Sequence, residues 1–227
     1  MLFVDCLDIS RISEAQLRQL YHAADEERRA RADRYGRREE AVRCLAAGAL
    51  LRHALRRCGM SEQVTLLKGT EGKPYVALPD FYFNLSHGGD FVVIAYSDRE
   101  VGVDVETVEP SEHRLRVSRR FFTDAEQEEI FGEGESDAAL RFAKVWTAKE
   151  AYVKYLGCGL TVPLDSFSVD VVRGCVRNAE GIVQPLRLQT VTLDEGHVLT
   201  VCAEAKEDIC IERLSSEVLL VEDADAL

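Results

Sequence analysis

The apolar positions change period along the chain, and each change predicts a new element. Ser13-Glu14-Ala15-Gln16 has the form of a capping box, with Ile12 and Leu17 placed as a hydrophobic staple, so a helix starts there and runs on into a charged segment. From about Arg38, Val42, Leu45, Ala46, Ala49 and Leu50 recur at helical spacing as far as Gly59, which predicts a long core helix. The period then becomes extended. Residues 64–67 and 75–78 flank a polar loop, residues 81–86 run into His87-Gly88-Gly89, and residues 91–96 end in the turn Ser97-Asp98-Arg99-Glu100. The next strand, 101–106, is expected to form a hairpin with 91–96. Its alternation puts Val101, Val103 and Val105 on one face and Gly102, Asp104 and Glu106 on the other.

A break near 107–111 opens a second half. Thr123-Asp124-Ala125-Glu126 repeats the capping box and predicts a short helix to Phe131. A Gly- and Glu-rich loop at 132–136 precedes a helix from about Asp137 to Leu156, stopped by Gly157. Strands follow at 167–172, 186–193 and 197–203, the last two around the turn Asp194-Glu195-Gly196. From Ser215 the chain is expected to thin into a loose acidic tail through Glu222-Asp223-Ala224-Asp225. Helix followed by antiparallel strands thus occurs twice, an α+β pattern in two halves of about 100 residues each.

Composition narrows the class. Of 227 residues 46% are apolar and 30% charged, with 5 Pro and 15 Gly, which excludes a disordered or collagenous chain. No apolar run is long enough for a bilayer, and MLFVDCLDISR lacks the basic and apolar regions of a signal peptide, so a cytoplasmic, membrane-free protein is expected. Seven scattered cysteines with no CxxC pair read as reduced thiols and not as structural zinc. The net charge of −12 repels nucleic acid, so any phosphate site needs a local basic patch. Seven arginines between positions 28 and 43 supply one.

Several residue sets can carry chemistry, each with a plainer reading beside it. Asp104 and Glu106 are like charges on one strand face, suited to a divalent cation such as Mg²⁺ or to an exposed edge pair. Trp146, Glu150 and Lys154 share one side of a helix; they would hold a metal-bound phosphate or form an ordinary i, i+4 ion pair. His87, before two glycines, can meet an anion or serve structure. Arg28, Arg31 and Arg43 can bind an anion or form a solvated face. Glu126 reads chiefly as the second partner of its capping box.

In their order these pieces resemble the Sfp-type (surfactin-synthetase-activating) 4′-phosphopantetheinyl transferases. The carrying residues are Gly72-Lys73-Pro74, Phe83-Asn84-Leu85-Ser86-His87, Gly102-Val103-Asp104-Val105-Glu106, Arg120-Phe121-Phe122, the run 146–154 of the form WxxKEAxxK, and 159–167. The resemblance spans about Glu27 to Ala203. It implies two similar α+β halves related by a pseudo-twofold axis, antiparallel sheets packed with helices, and an active site in the cleft between them. The halves are expected at 1–103 and 104–212, with a tail at 213–227.

The activity so implied is transfer of the phosphopantetheine arm of coenzyme A to a serine of an apo carrier protein, releasing 3′,5′-ADP. Asp104, Glu106 and Glu150 would hold Mg²⁺ or Mn²⁺, Glu150 would take the serine proton directly or through a water, and Lys154 would pair with the pyrophosphate. By the same matching Arg28, Arg31, Arg43 and His87 would meet the 3′-phosphate, Gly72, Lys73 and Pro74 would border the adenine, and Ser86 would add a contact. Arg28 and Arg31 stand where relatives often carry lysine, and Thr147 where serine is common. Arg114, Arg116, Arg119 and Arg120 lie where the family is thought to receive its carrier, and a monomer is expected. Two other functions fit the same residues. A Mg²⁺-dependent nuclease or phosphohydrolase is opposed by the net charge; a binding module without catalysis would leave the carboxylates structural.

Overall fold

The computed structural model describes residues 1–132 and 137–224. The chain runs β1 (Leu2–Asp8), α1 (Glu14–Ala23), α2 (Glu26–Ala32), α3 (Arg38–Arg57), β2 (Leu66–Lys68), β3 (Pro74–Val76), β4 (Tyr82–Gly88), β5 (Phe91–Ser97) and β6 (Gly102–Thr107). It continues with α4 (Glu112–Phe121), α5 (Asp124–Phe131), α6 (Ala138–Leu156), β7 (Phe167–Asp170), β8 (Cys175–Asn178), β9 (Leu186–Asp194), β10 (His197–Glu204), β11 (Ile209–Leu214) and α7 (Ser216–Ala224). Most of the expected loop at 132–136 lies outside the described residues.

Both capping boxes form. Ser13 N–H donates to Gln16 Oε1 at 2.9 Å while Ser13 Oγ accepts from Gln16 N–H, and Thr123 N–H donates to Glu126 Oε2 at 2.9 Å. Gly157 ends α6 in the left-handed region, at φ +67°. The first helix is shorter than its pattern suggested: Ala24 turns extended, and Asp25 caps a separate helix by accepting Arg28 N–H at 2.7 Å.

Two sheets and two long helices stack as four layers. The first sheet has the order β11-β1-β5-β4, the second β6-β10-β9. Alternation along the strands decides what each face meets. Val92, Ile94 and Tyr96 of β5 join Leu45, Ala49 and Leu50 of α3 in one core, while Phe91, Val93 and Ala95 point the other way. There they meet Val103 and Val105 of β6 and Leu199 and Val201 of β10 in a second core between the sheets. On the far side, α6 packs with Phe167, Leu188 and Cys202 in a third. Each half therefore lays one long helix on the outer face of one sheet, the doubled α+β arrangement. Gly102 sits where α6 crosses β6, and a side chain there would collide with the Ala151 carbonyl oxygen.

The expected hairpin of 91–96 with 101–106 does not form. β5 pairs with β1 and β4, and β6 pairs with β10. After the 97–100 turn the chain changes sheets, so the valines of β6 face β5 across the central core instead of lying beside it. Side chains of β4 satisfy the free edge of β6: Asn84 Oδ1 accepts Val103 N–H at 2.9 Å and Ser86 Oγ accepts Val105 N–H at 3.4 Å.

The segment expected as a loose tail begins instead as structure. β11 pairs in parallel with β1, and α7 follows, with Leu219 only 1% exposed in the first core. Residues 225–227 lie outside the described residues. All seven cysteines are free thiols. No helix among the described residues is long and apolar enough to cross a membrane.

Candidate active site

The ends of β4 and β6 and the outer turns of α6 converge on a cavity of about 270 Å³. β4 contributes Ser86 and His87, β6 contributes Asp104 and Glu106, and α6 contributes Trp146, Glu150 and Lys154. The periods of the two elements explain the convergence. Residues two apart on a strand and four apart on a helix share a face, and Gly102 lets those faces approach. Trp146 forms one wall and is stacked in turn on Phe142 and Phe122, with ring centroids 5.8 and 6.2 Å away.

Polar contacts tie the two halves together here. Asp104, 7% exposed, accepts from Ser86 Oγ at 2.7 Å and from Lys154 Nζ at 2.7 Å. Lys154 Nζ also donates to Ser86 Oγ at 2.9 Å, closing a triangle across β4, β6 and α6. Glu106 Oε1 takes Arg114 Nη2 at 3.0 Å and Thr107 N–H at 2.8 Å, so α4 also reaches the site.

Three carboxylates thus share the region with Lys154 and Arg114. Burial raises the pKa of Asp104, against the opposing pull of Lys154 and Ser86. Burial likewise raises Glu150, reinforced by Asp104 and Glu106 and opposed by Lys154. His87 is lowered by burial and by Arg43 and Lys154, so the imidazole favours its neutral form. No group of three His, Cys, Asp or Glu side chains among the described residues is already gathered as a metal site.

The remaining sequence candidates divide. Arg43 borders His87: its Nη2 donates to Gly89 O at 2.7 Å and its Nη1 pairs with Glu40 Oε1 at 2.9 Å. Arg28 turns elsewhere, donating to Cys44 O at 2.9 Å and lying across Gly48 in a separate groove with Leu51 and Leu55. Arg31 donates to Tyr35 Oη at 3.3 Å. Gly72, Lys73 and Pro74 form the β2–β3 turn, with Gly72 at φ +86°. Lys73 Nζ is held by Glu100 at 2.7 Å and by Val101 O at 3.1 Å, near Gly157 beyond the end of α6. On α4, Arg116, Arg119 and Arg120 are exposed; Arg119 lies over Phe131 and Arg120 over Phe121.

Glu126 lies away from the cavity. It is 1% exposed and accepts from Lys149 Nζ at 2.6 Å and from Val169 N–H at 2.8 Å. Asn84 and Arg114 took on roles the sequence reading did not give them. Asn84 had a visible signal, since it stands two residues before Ser86 on one strand face; Arg114 had none, because its reach to Glu106 depends on where α4 docks.

Comparison with known proteins shows the family. The family described as the 4′-phosphopantetheinyl transferase superfamily matches residues 100–202, and the family described as 4′-phosphopantetheinyl transferase, N-terminal, matches residues 11–99. A 4′-phosphopantetheinyl transferase of Bacillus subtilis is 32% identical over 217 residues, covering 92% of this chain and 95% of its own length. The transferase Sfp of Bacillus subtilis strain 168 is 31% identical, covering 78% of this chain and 80% of its own. The transferase psf-1 of Bacillus pumilus is 32% identical, with 82% of each chain covered. With both halves matched in order and these relatives covered over 80 to 95% of their own length, the chain belongs to the 4′-phosphopantetheinyl transferase superfamily and is a transferase of that type.

Proposed function

We propose that this enzyme transfers the 4′-phosphopantetheine arm of coenzyme A to a serine of an apo acyl or peptidyl carrier protein, with a divalent cation, and releases 3′,5′-ADP. The observation that carries the reading is the convergence of Asp104, Glu106 and Glu150 with Lys154 on one cavity, beside His87 and Arg43. The donor set fits Mg²⁺ or Mn²⁺: three hard oxygen ligands, two of them kept from ready ionisation by burial and mutual repulsion. A cation bound there neutralises charge on the pyrophosphate oxygens.

This chain's own groups supply the rest. Arg43 and His87 take the 3′-phosphate end of coenzyme A. Arg28 and Arg31 join them only by releasing Cys44 O and Tyr35. Gly72, Lys73 and Pro74 border the adenine, and Ser86 hydrogen-bonds the nucleotide side. Lys154 turns from Asp104 to the pyrophosphate and holds it in line. Glu150 accepts the proton of the carrier serine as its oxygen forms a bond to the pantetheine phosphorus; the bond from that phosphorus to the bridging oxygen breaks, and 3′,5′-ADP leaves with the electron pair. Arg116, Arg119 and Arg120, with half-exposed Phe121, offer an acidic carrier a positive, partly apolar face.

In this reading residues 1–103 hold coenzyme A and residues 104–212 hold the metal and the base. One chain supplies both sides of the cleft, so the working unit is a monomer. The test is intact mass of an apo carrier incubated with the enzyme, coenzyme A and Mg²⁺. A gain of one phosphopantetheine is expected, lost with EDTA, with Glu150→Ala, or when the acceptor serine is replaced by alanine. No gain on peptide, polyketide or fatty-acid carriers would overturn the reading.

A further inference from the structure

The β9–β10 hairpin carries a His–Asp pair that the transfer chemistry does not use. His197 Nδ1 lies 2.8 Å from Asp194 Oδ1. An ionised carboxylate only accepts, so Nδ1 carries the proton, and in the neutral imidazole Nε2 is left as an acceptor. It accepts the backbone N–H of Asp90 at 3.4 Å. Asp90 lies in the turn between β4 and β5, so the contact runs from the second half to the first. The imidazole also meets the Phe91 ring edge-on at 4.9 Å.

Two further observations show that this contact is built. Gly89, in the same turn, has φ +52°, and a side chain there would collide with both the His197 ring and the Thr107 methyl. Gly196 O accepts Val108 N–H at 2.7 Å, so the hairpin that presents His197 is itself fastened just past β6. The turn it grips leads to the anion end of the cleft: His87 precedes it, and Gly89 O holds Arg43 at 2.7 Å. His197 itself does not line the cavity.

We propose that His197, oriented by Asp194, is a positioning residue for coenzyme A: it fixes the Gly88-Gly89-Asp90 turn so that Gly89 O keeps the Arg43 guanidinium beside His87. The inference rests on the coenzyme A reading above, and it predicts an effect on coenzyme A binding, not on the chemical step. His197→Gln keeps an acceptor at the reach of Nε2, whereas His197→Ala removes it.

The test uses the full chain, with transfer measured at varied coenzyme A and, separately, binding of 3′,5′-ADP measured by calorimetry. His197→Ala is expected to raise the KM for coenzyme A and weaken 3′,5′-ADP binding about three- to tenfold, the scale of one hydrogen bond. kcat and the KM for the carrier should stay within about twofold. Asp194→Ala should shift the same parameters less, and His197→Gln should restore them. An unchanged KM for coenzyme A in folded His197→Ala, or an unchanged one in Asp194→Ala should His197→Ala fail to fold, would overturn the proposal. Equal losses in His197→Gln and His197→Ala would also overturn it. A wild-type chain that modifies no carrier, yet binds 3′,5′-ADP with this ranking of variants, would sink the transfer reading and leave the positioning role standing.

Discussion

Lys149 and Lys154 both project from α6, and each donates to a carboxylate at nearly the same distance, 2.6 Å to Glu126 and 2.7 Å to Asp104. Their surroundings differ. Lys149 is fully buried, donates also to Phe167 O at 2.9 Å, and faces the rings of Phe122 and Phe167. Both oxygens of Glu126 are occupied, by Lys149, the Val169 N–H and the Thr123 N–H. That region closes on itself. Around Lys154 three carboxylates meet fewer cations, the lysine side chain is 28% exposed, and a cavity opens beside it. The same ion-pair chemistry is a brace where the chain saturates it, and a receptor where acid is left in surplus.

The sharpest way to break the contrast is Lys149→Met. It strands a buried Glu126 and should cost about 3–5 kcal/mol in urea unfolding, with Glu126→Gln on the same background recovering part of the loss. A Lys149→Met protein of wild-type stability would show that the two regions are alike. Next comes Glu150→Gln, which should lower kcat by at least about 100-fold. The melting temperature of the metal-free protein should hold or rise, because one of three mutually repelling acids becomes neutral; a large drop in stability would make Glu150 a brace as well.

The smallest effect is the pH slope. Asp104 and Glu150 have folded pKa values above their ordinary range, so folding favours their protonated forms. Their contribution is full below the unfolded carboxylate pKa of about 4 and is lost as pH rises through the folded values. Melting temperature without metal should therefore decline as pH climbs out of the acid range. Mg²⁺ should flatten the decline, and so should Glu150→Gln, which isolates the site from buried Asp5, whose pKa burial also raises. A slope indifferent to both would show that the site carries no surplus acid.

Local signals in the sequence were legible wherever the physics is local. Both capping boxes, the run 42–50, the Gly157 stop and the shared faces of Asp104 with Glu106 and of Glu150 with Lys154 depend only on neighbours within a few residues. What failed depends on docking. The register of β6 is set by β10, about a hundred residues later, and by Asn84 and Ser86, which no periodicity of 101–106 contains. Leu2–Asp8 reads poorly as a strand because its interior Asp5 is admitted by distant groups, Tyr96 Oη at 2.9 Å, Arg57 at 3.4 Å and the His53 ring at 3.6 Å. The break between α1 and α2 needed only the Asp25 cap and could have been read, but the arginine run beyond it masked the signal.

The parallel seam between β1 and β11 bears on how the molecule is made. During synthesis the first sheet forms with β1 paired to β5 on one side only, and the donors on its other side wait for Ile209–Leu214. The partner strand is made about two hundred residues after β1, so the nascent first sheet carries an open border while everything between them is being translated. β11 is a closing stitch: a ribosome stalled before residue 209 releases a chain with an exposed edge and a ready route to aggregation.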